Sequence, residues 1–179
     1  MASGLNEMLY LEDKMNLDRY TEISQAVLRN SLAIANSFSH QYVTCFHLFK
    51  AICIEKNSST LALLENSGLN VKELNDILDD ILKNKPKVNG SSDIFFDNDL
   101  KKVLSAAEKM AFKNGDDYVT IDILIKAIFN NSELKLFLNK LGFNNESFEN
   151  ACKRFRKDKK VTSINAEDSF QALEKFTTD

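Results

Sequence analysis

The stretch HQYVTCFHLFKAI, residues 40–52, returns 76 residues later as DDYVTIDILIKAI, residues 116–128. Seven of the thirteen aligned positions are identical: a Tyr-Val-Thr run, a leucine at 48 and 124, and a Lys-Ala-Ile run. That density of identity points to an internal duplication, which dictates the architecture before any single element is assigned. Within the phrase, a bulky Tyr-Val pair suits an extended connector, and Thr44 and Thr120 stand where a hydroxyl can cap the helix that follows. Leu48, Ala51 and Ile52, like Leu124, Ala127 and Ile128, supply the buried face of that helix, with Lys50 and Lys126 on the solvated side.

Upstream of the first phrase, Tyr20, Ile23, Val27, Ile34 and Phe38 recur at helical spacing. Upstream of the second, Leu100, Val103, Leu104, Ala107, Met110 and Ala111 do the same, and Gly115 offers a left-handed stop. Val27, Leu28 and Ala35 fall on Val103, Leu104 and Ala111 at the same offset of 76. Downstream, Leu61 to Leu64 runs to Gly68 and Leu134 to Leu141 runs to Gly142, with two residues fewer in the second copy. Val71, Leu74, Leu78 and Ile81 close the first unit, with Asn70 and Glu73 at capping-box spacing, while Phe148, Cys152 and Phe155 close the second. The pattern predicts an all-α chain of two tandem, pseudo-symmetric four-helix repeats, about eight helices.

Composition agrees. The 179 residues suffice for one well-buried domain, and one proline and five glycines leave few tight turns. Hydrophobic residues make up 44% and charged ones 27%, as in a globular chain, and a net charge of -3 gives no general pull toward nucleic acid. The stretch KNKPKVNGSSD, residues 83–93, gathers the only proline and separates the repeats, about 15–83 and 98–157. Beyond them KRFRKDKK, residues 153–160, carries six bases and one acid. Without aromatic platforms it reads as a solvated helix end or linker rather than a nucleic-acid site. Helical spacing resumes at Phe170, Leu173 and Phe176.

Cys45, Cys53 and Cys152 form neither an even disulfide framework nor a C-x-x-C pair, which fits reduced thiols and a cytoplasmic location. Cys45 and His47, two apart on a helix, diverge in direction, so buried packing outweighs metal binding. Residues 1–14 have no apolar core of signal length, and no run approaches the roughly 20 apolar residues a membrane helix needs.

Two four-helix repeats, MNLDRYT at 15–21, GDDYVT at 115–120 and the closing AEDSFQALEKFTTD at 166–179 together resemble the N-terminal Clp repeat domain of ClpB-type AAA+ disaggregases. The match spans residues 15–179 and leaves 1–14 as an extension, alternative start or tag. The resemblance implies a double-repeat domain over 15–157, then a linker and the start of the first ATPase domain over 158–179. In a parent protein it implies two ATPase modules using ATP and magnesium, a coiled-coil insertion and a homohexamer working with a DnaK-type chaperone. The domain itself would be a monomer that captures unfolded or aggregated polypeptide. An adaptor-docking domain of a ClpA- or ClpC-type unfoldase, or a freestanding Clp repeat adaptor, is the alternative. The tail ALEKFTTD favours the disaggregase.

No cofactor is expected in this chain. The glycines at 4, 68, 90, 115 and 142 are too dispersed for G-x-x-x-x-G-K-[ST], and no serine sits in a G-x-S-x-G elbow. His40 and His47 align with Asp116 and Ile123, so they mark scaffold rather than a repeated acid-base device. Asp116, Asp117 and Asp122 could be a carboxylate cluster, but acids at a helix start also complement its dipole. No catalytic or metal-ligating residue is assigned, and the chain is not expected to be an enzyme.

For binding, the resemblance implies a shallow apolar groove flanked by polar groups. Its threonine falls on Thr21, its acids on Asp116 and Asp122, and its groove positions on Ala106, Met110 and Ile123. Asp122 stands where glutamate is common, and the three groove positions where leucines are frequent. On spacing alone, Met110 and Ile123 read equally well as core; the resemblance favours partial exposure. Methionine, being flexible and apolar, suits promiscuous recognition.

Overall fold

The computed structural model describes residues 16–90, 93–157, 164, 165 and 167. The extension 1–14, the helical spacing at Phe170 to Phe176 and most of the linker 158–179 lie outside the described residues.

After a short 3-10 turn at Leu17–Arg19, the first repeat contributes α1 (Glu22–Ser37), α2 (Cys45–Cys53), α3 (Ser58–Glu65) and α4 (Val71–Lys83). The second contributes α5 (Asn98–Asn114), α6 (Ile121–Phe129), α7 (Ser132–Asn139) and α8 (Asn145–Arg156). Two strands of two residues, β1 (Tyr42–Val43) and β2 (Phe95–Phe96), complete the described elements. The eight helices are those the periodicity predicts, four to a repeat.

The starts of the third and fourth helices repeat between the two units. Asn57 caps α3 and Asn131 caps α7; Asn70 caps α4 and Asn144 caps α8, each carboxamide oxygen accepting from backbone N–H groups of the first turn. Asn70 accepts from Glu73 N at 3.1 Å, the asparagine half of the expected capping box. Thr44 caps α2 in a full capping box whose other member is His47. Gly115 ends α5 at φ 76, the left-handed stop expected there.

The repeats interlock instead of standing side by side. β1 and β2 pair in parallel, Tyr42 opposite Phe95 and Val43 opposite Phe96. Tyr20 and Val119 form a second parallel bridge. At the offset of 76, Phe96 is the counterpart of Tyr20 and Val43 that of Val119. Each repeat's lead-in therefore pairs with the other repeat's connector, as a pseudo-twofold axis requires. The bonds match too: Asp97 N donates to Val43 O at 3.0 Å and Thr21 N to Val119 O at 3.1 Å.

Near that axis the stops after α3 and α7 meet. Asn144 N donates to Ser67 O at 2.9 Å, and Gly68, at φ +93, lies so close that an added Cβ would sit 2.8 Å from Gly142 O. Both repeats drain into one apolar core, in which Phe49 and Phe129 meet edge to face across the repeats with ring centroids 5.6 Å apart. Lys50 and Lys126, expected on the solvated side, lie part-buried and paired, with Asp79 at 3.1 Å and Glu149 at 3.5 Å.

Candidate functional site

The second connector, residues 115–120, brings its acids beside the start of α6, and the end of α8 arrives over them. Apolar spacing orients α8: Phe148, Cys152 and Phe155 are buried, and Arg156, four residues after Cys152, continues that stripe toward the connector. Its Nε donates to Asp122 Oδ2 at 2.5 Å and its Nη1 to Asp116 Oδ2 at 2.6 Å. Nη2 reaches Thr120 Oγ1 at 2.6 Å and Asp122 Oδ1 at 3.1 Å. Both carboxylates are fully buried at the side chain and the guanidinium is 13% exposed. Burial alone would lower the pKa of Arg156, but the hydrogen bonds and charges of Asp122, then Asp116, outweigh it and raise it. The guanidinium is a permanent cation spanning two acids and a hydroxyl, a planar task that suits arginine and not lysine.

This arrangement corrects the reading of Thr120. Its hydroxyl donates to Asp122 and accepts from Arg156, so it makes no cap to α6, unlike Thr44 in the first repeat. Asp122 does lie in the first turn of α6, as the dipole reading supposes, but its partner is the guanidinium. The basic run at 153–160 is likewise mixed: Lys153 and Arg154 are exposed while Arg156 is not a solvated charge.

With Thr120 engaged elsewhere, Glu167 takes over the start of α6. Its Oε1 accepts from Ile121 N at 3.1 Å and from the Thr21 hydroxyl at 2.6 Å, while Glu22 N donates to Ile164 O at 3.0 Å. Burial raises the pKa of Glu167 and the charge of Asp122 adds to the rise, against the opposing bonds from Thr21 and Ile121. Thr21 also caps α1, accepting from Ser24 N at 3.4 Å.

The six residues singled out for binding are thus placed unequally. Thr21 and Asp122 are fully buried and Asp116 nearly so, all engaged in internal bonds. Ala106 and Met110 are half-buried one turn apart on α5. Ile123 is 1% exposed and belongs to the core, so partial exposure holds for Met110 and not for Ile123. Successive core positions on α6 leave Ile123 no free side.

Met110 opens onto a groove of about 790 Å³ between α5, α6, α7 and the start of α8. Its lining is largely polar; Met110 and Phe143 contribute half-buried apolar surface, while Phe129, Leu138 and Phe148 are packed into the core behind them. Asn130, Asn139 and Asn145 stand on its rim with Lys126, Lys135 and Glu149. Spacing assigns Phe148 to a buried face; the edge-on and tilted cluster of Phe129, Phe143 and Phe148, with centroids 4.9 to 5.8 Å apart, forms only when α6 and α8 meet.

The first repeat holds a neutral cluster at the corresponding place. His47 Nδ1 accepts from Thr44 N at 2.9 Å, which leaves the proton on Nε2, 2.8 Å from His40 Nδ1. Burial pushes the pKa of His47 down to about 3 and lowers that of His40. Burial also pushes the thiols of Cys45, Cys53 and Cys152 up to about 12, so all three stay protonated. Among the described residues no cluster of three or more His, Cys, Asp or Glu could hold a metal, and no helix is long and apolar enough to cross a membrane.

A family model described as the Clp repeat (R) N-terminal domain matches residues 19–141. The chain is 32% identical over 168 residues to the chaperone protein ClpB of Rickettsia conorii, covering 92% of this chain and 20% of that protein. It therefore spans about a fifth of the length of the curated relatives it matches. Its fold is shared with the Hsp104 N-terminal domain from Candida albicans, at a TM-score of 0.74 and 17% identity over 83% of this chain and 98% of that one. The N-terminal domain of the caseinolytic protease associated chaperone ClpD from Arabidopsis thaliana follows at 0.62 and 18%, over 79% and 97%.

Proposed function

This chain belongs to the Clp repeat N-terminal domain family, and from that membership we propose that it captures unfolded or aggregated polypeptide for a ClpB-type chaperone. The observation that carries the reading is the groove beside Met110. Half-buried Met110 and Phe143 offer apolar surface within a polar rim, and a flexible methionine can repack against side chains of many shapes. Neutral amides and charges of both signs on the rim favour no particular sequence, which suits weak, broad binding. We place direct contact at Met110 and neighbouring Ala106, with Asp116 and Asp122 shaping the second connector through Arg156.

The wider reading follows the family: a cytoplasmic parent with downstream ATPase modules that use ATP and magnesium, assembled as a hexamer and cooperating with a DnaK-type chaperone. The groove is tested with a permanently unfolded, fluorescently labelled protein, such as reduced and carboxymethylated lactalbumin, followed by anisotropy. Saturable binding is expected, weakened at least several-fold by Met110→Glu with little change in Tm, because the side chain is only half-buried. Binding unchanged by that charge would move capture off this groove, and no saturable binding at all would end the reading.

A further inference from the structure

We propose that the outer face of α5 docks the outer face of α4 in a second copy of this chain, a head-to-tail contact in which an exposed phenylalanine among lysines meets an isoleucine among acids. The inference goes beyond polypeptide capture and does not depend on it.

The side of α5 turned from the core carries Lys101, Lys102, Lys109 and Lys113, all exposed, with half-buried Glu108 and exposed Asp99 at its margins. Among the described residues none of the four lysines has an ion-pair partner. Between them Phe112 is 84% exposed, the most exposed of the large apolar side chains described. Folding does not call for this composition, since at the offset of 76 the twin helix α1 has Gln25, Ala26, Ala33 and Ser37 for the lysines and Asn36 for the phenylalanine. A single exposed apolar residue is ordinary, but one set among four unpaired charges of one sign, all absent from the twin, fits a surface specialised for a partner.

Such a partner is acidic with an apolar centre, and the chain itself carries that surface. On α4, Glu73, Asp76 and Asp80 are exposed around half-buried Ile77, which stands one turn from Glu73 and from Asp80, with Lys72 and Lys83 toward the helix ends. The spacings agree. Glu73 to Asp80 and Lys102 to Lys109 are both seven residues, about 10 Å of helix, and Asp76 to Asp80 and Lys109 to Lys113 are both four. Here too the charge belongs to one repeat: at an offset of 74, which is 76 less the two residues missing from the second copy, α8 has Ser147, Asn150 and Arg154 in place of the three acids. The halves divide in the same sense, with six bases and eight acids over residues 15–83 and eleven bases and eight acids over residues 98–157. Duplicated halves of opposite net charge attract head to tail between copies, and a heterologous contact of this kind can close into a ring. Exposed ion pairs are individually weak, so the contact is populated where copies are held together, as in the hexamer proposed above.

The test follows the backbone amides of the whole 179-residue chain by NMR as its concentration rises from about 0.05 to about 1 mM in roughly 0.01 M salt, where the Debye length is about 30 Å. Concentration-dependent shifts confined to α4 and α5 are expected, at least threefold smaller in about 0.3 M salt. Phe112→Asn, which installs the α1 residue and alters no charge, should reduce them several-fold with Tm unchanged. Asp76→Lys with Asp80→Lys should abolish them, as should Lys109→Glu with Lys113→Glu, and mixing these two double variants should restore them. Lys135→Glu with Lys140→Glu, the same charge change on and just after α7, should leave the wild-type shifts in place. No concentration-dependent shifts up to about 1 mM, shifts centred on other faces, an ineffective Phe112→Asn, or no recovery in the mixture would each overturn the contact. The unfolded probe used for capture separates the occupants. If it moves the α5 amides and a second copy does not, the face belongs to captured polypeptide and the proposal fails while capture stands.

Discussion

One backbone frame carries two different fillings. In the first repeat His40 N donates to Ala35 O at 2.9 Å; in the second, Asp116 N donates to Ala111 O at 2.9 Å. Onto that shared turn the first repeat places neutral groups, the His40 and His47 pair with Phe46 and Leu82 buried nearby in sequence register. The second places charge at the counterparts: Asp116 for His40, Asp122 for Phe46 and Arg156 for Leu82. The difference teaches that the duplicated scaffold does not need the ion cluster, since its twin folds without one. The charge has another consequence: it diverts Thr120 from capping and leaves Ile121 N–H to be taken by Glu167.

The strongest way to break the comparison is to remove the cation. Arg156→Ala leaves two buried acids facing each other, and loss of one partner from a buried pair costs about 3–5 kcal/mol. A fall in Tm of roughly 10 °C or more is expected by calorimetry. Replacing buried ion pairs with apolar residues is often nearly neutral, so adding both Asp122→Phe and Asp116→His to Arg156→Leu, the filling of the first repeat, should recover more than half the loss. No recovery would mean that the two fillings are not interchangeable.

The glycine stops sharpen the contrast at smaller scale. Gly68→Ala faces both a left-handed φ of +93 and a Cβ 2.8 Å from Gly142 O, whereas at Gly142 only the φ of +83 opposes a side chain, with nothing within 4 Å. Denaturant titration should show Gly68→Ala destabilised by about 1–3 kcal/mol and Gly142→Ala by less. Equal losses would place the strain in the backbone alone.

The smallest effect is one of pH. The folded pKa of His47 is depressed to about 3 and that of His40 is lowered, by burial first, with Lys85 contributing to both. Unfolded histidines bind protons near pH 6.5, so the neutral pair contributes its full stability above that value. That contribution is lost as pH falls from about 6.5 toward 3. Between pH 6.5 and 5.5 His47 should cost roughly 1 kcal/mol, with His40 acting in the same direction, and a His40→Asn, His47→Gln variant should flatten that slope. An unchanged slope would place the acid sensitivity outside the first repeat.

Much of this was legible in order. Periodicity and the 76-residue offset predict eight helices, because apolar spacing is a local property that packing then obeys. Gly115 and Asn70 were readable for the same reason: caps and stops act within a turn of themselves. Arg156 was hidden inside a run of like charges, although its place four residues after Cys152 put it on the buried stripe. Glu167 left no such signal, since the residues it serves, Thr21 and Ile121, stand 146 and 46 positions away.

Thr44 and Thr120 mark the boundary. The sequence by itself determined that each would stand at the start of a helix, after an extended Tyr-Val pair. Only the tertiary structure decided what each hydroxyl does there. Thr44 caps because its neighbour at the third helical position is His47, whose ring completes a local box. Thr120 does not, because Asp122 offers it a buried carboxylate and α8 delivers the Arg156 guanidinium from 36 residues away. The Thr120 oxygen already accepts from a charged guanidinium, which displaces the weaker amide donors of the first turn, whereas Thr21 gives its proton to a carboxylate, meets no such cation among the described residues and still caps α1.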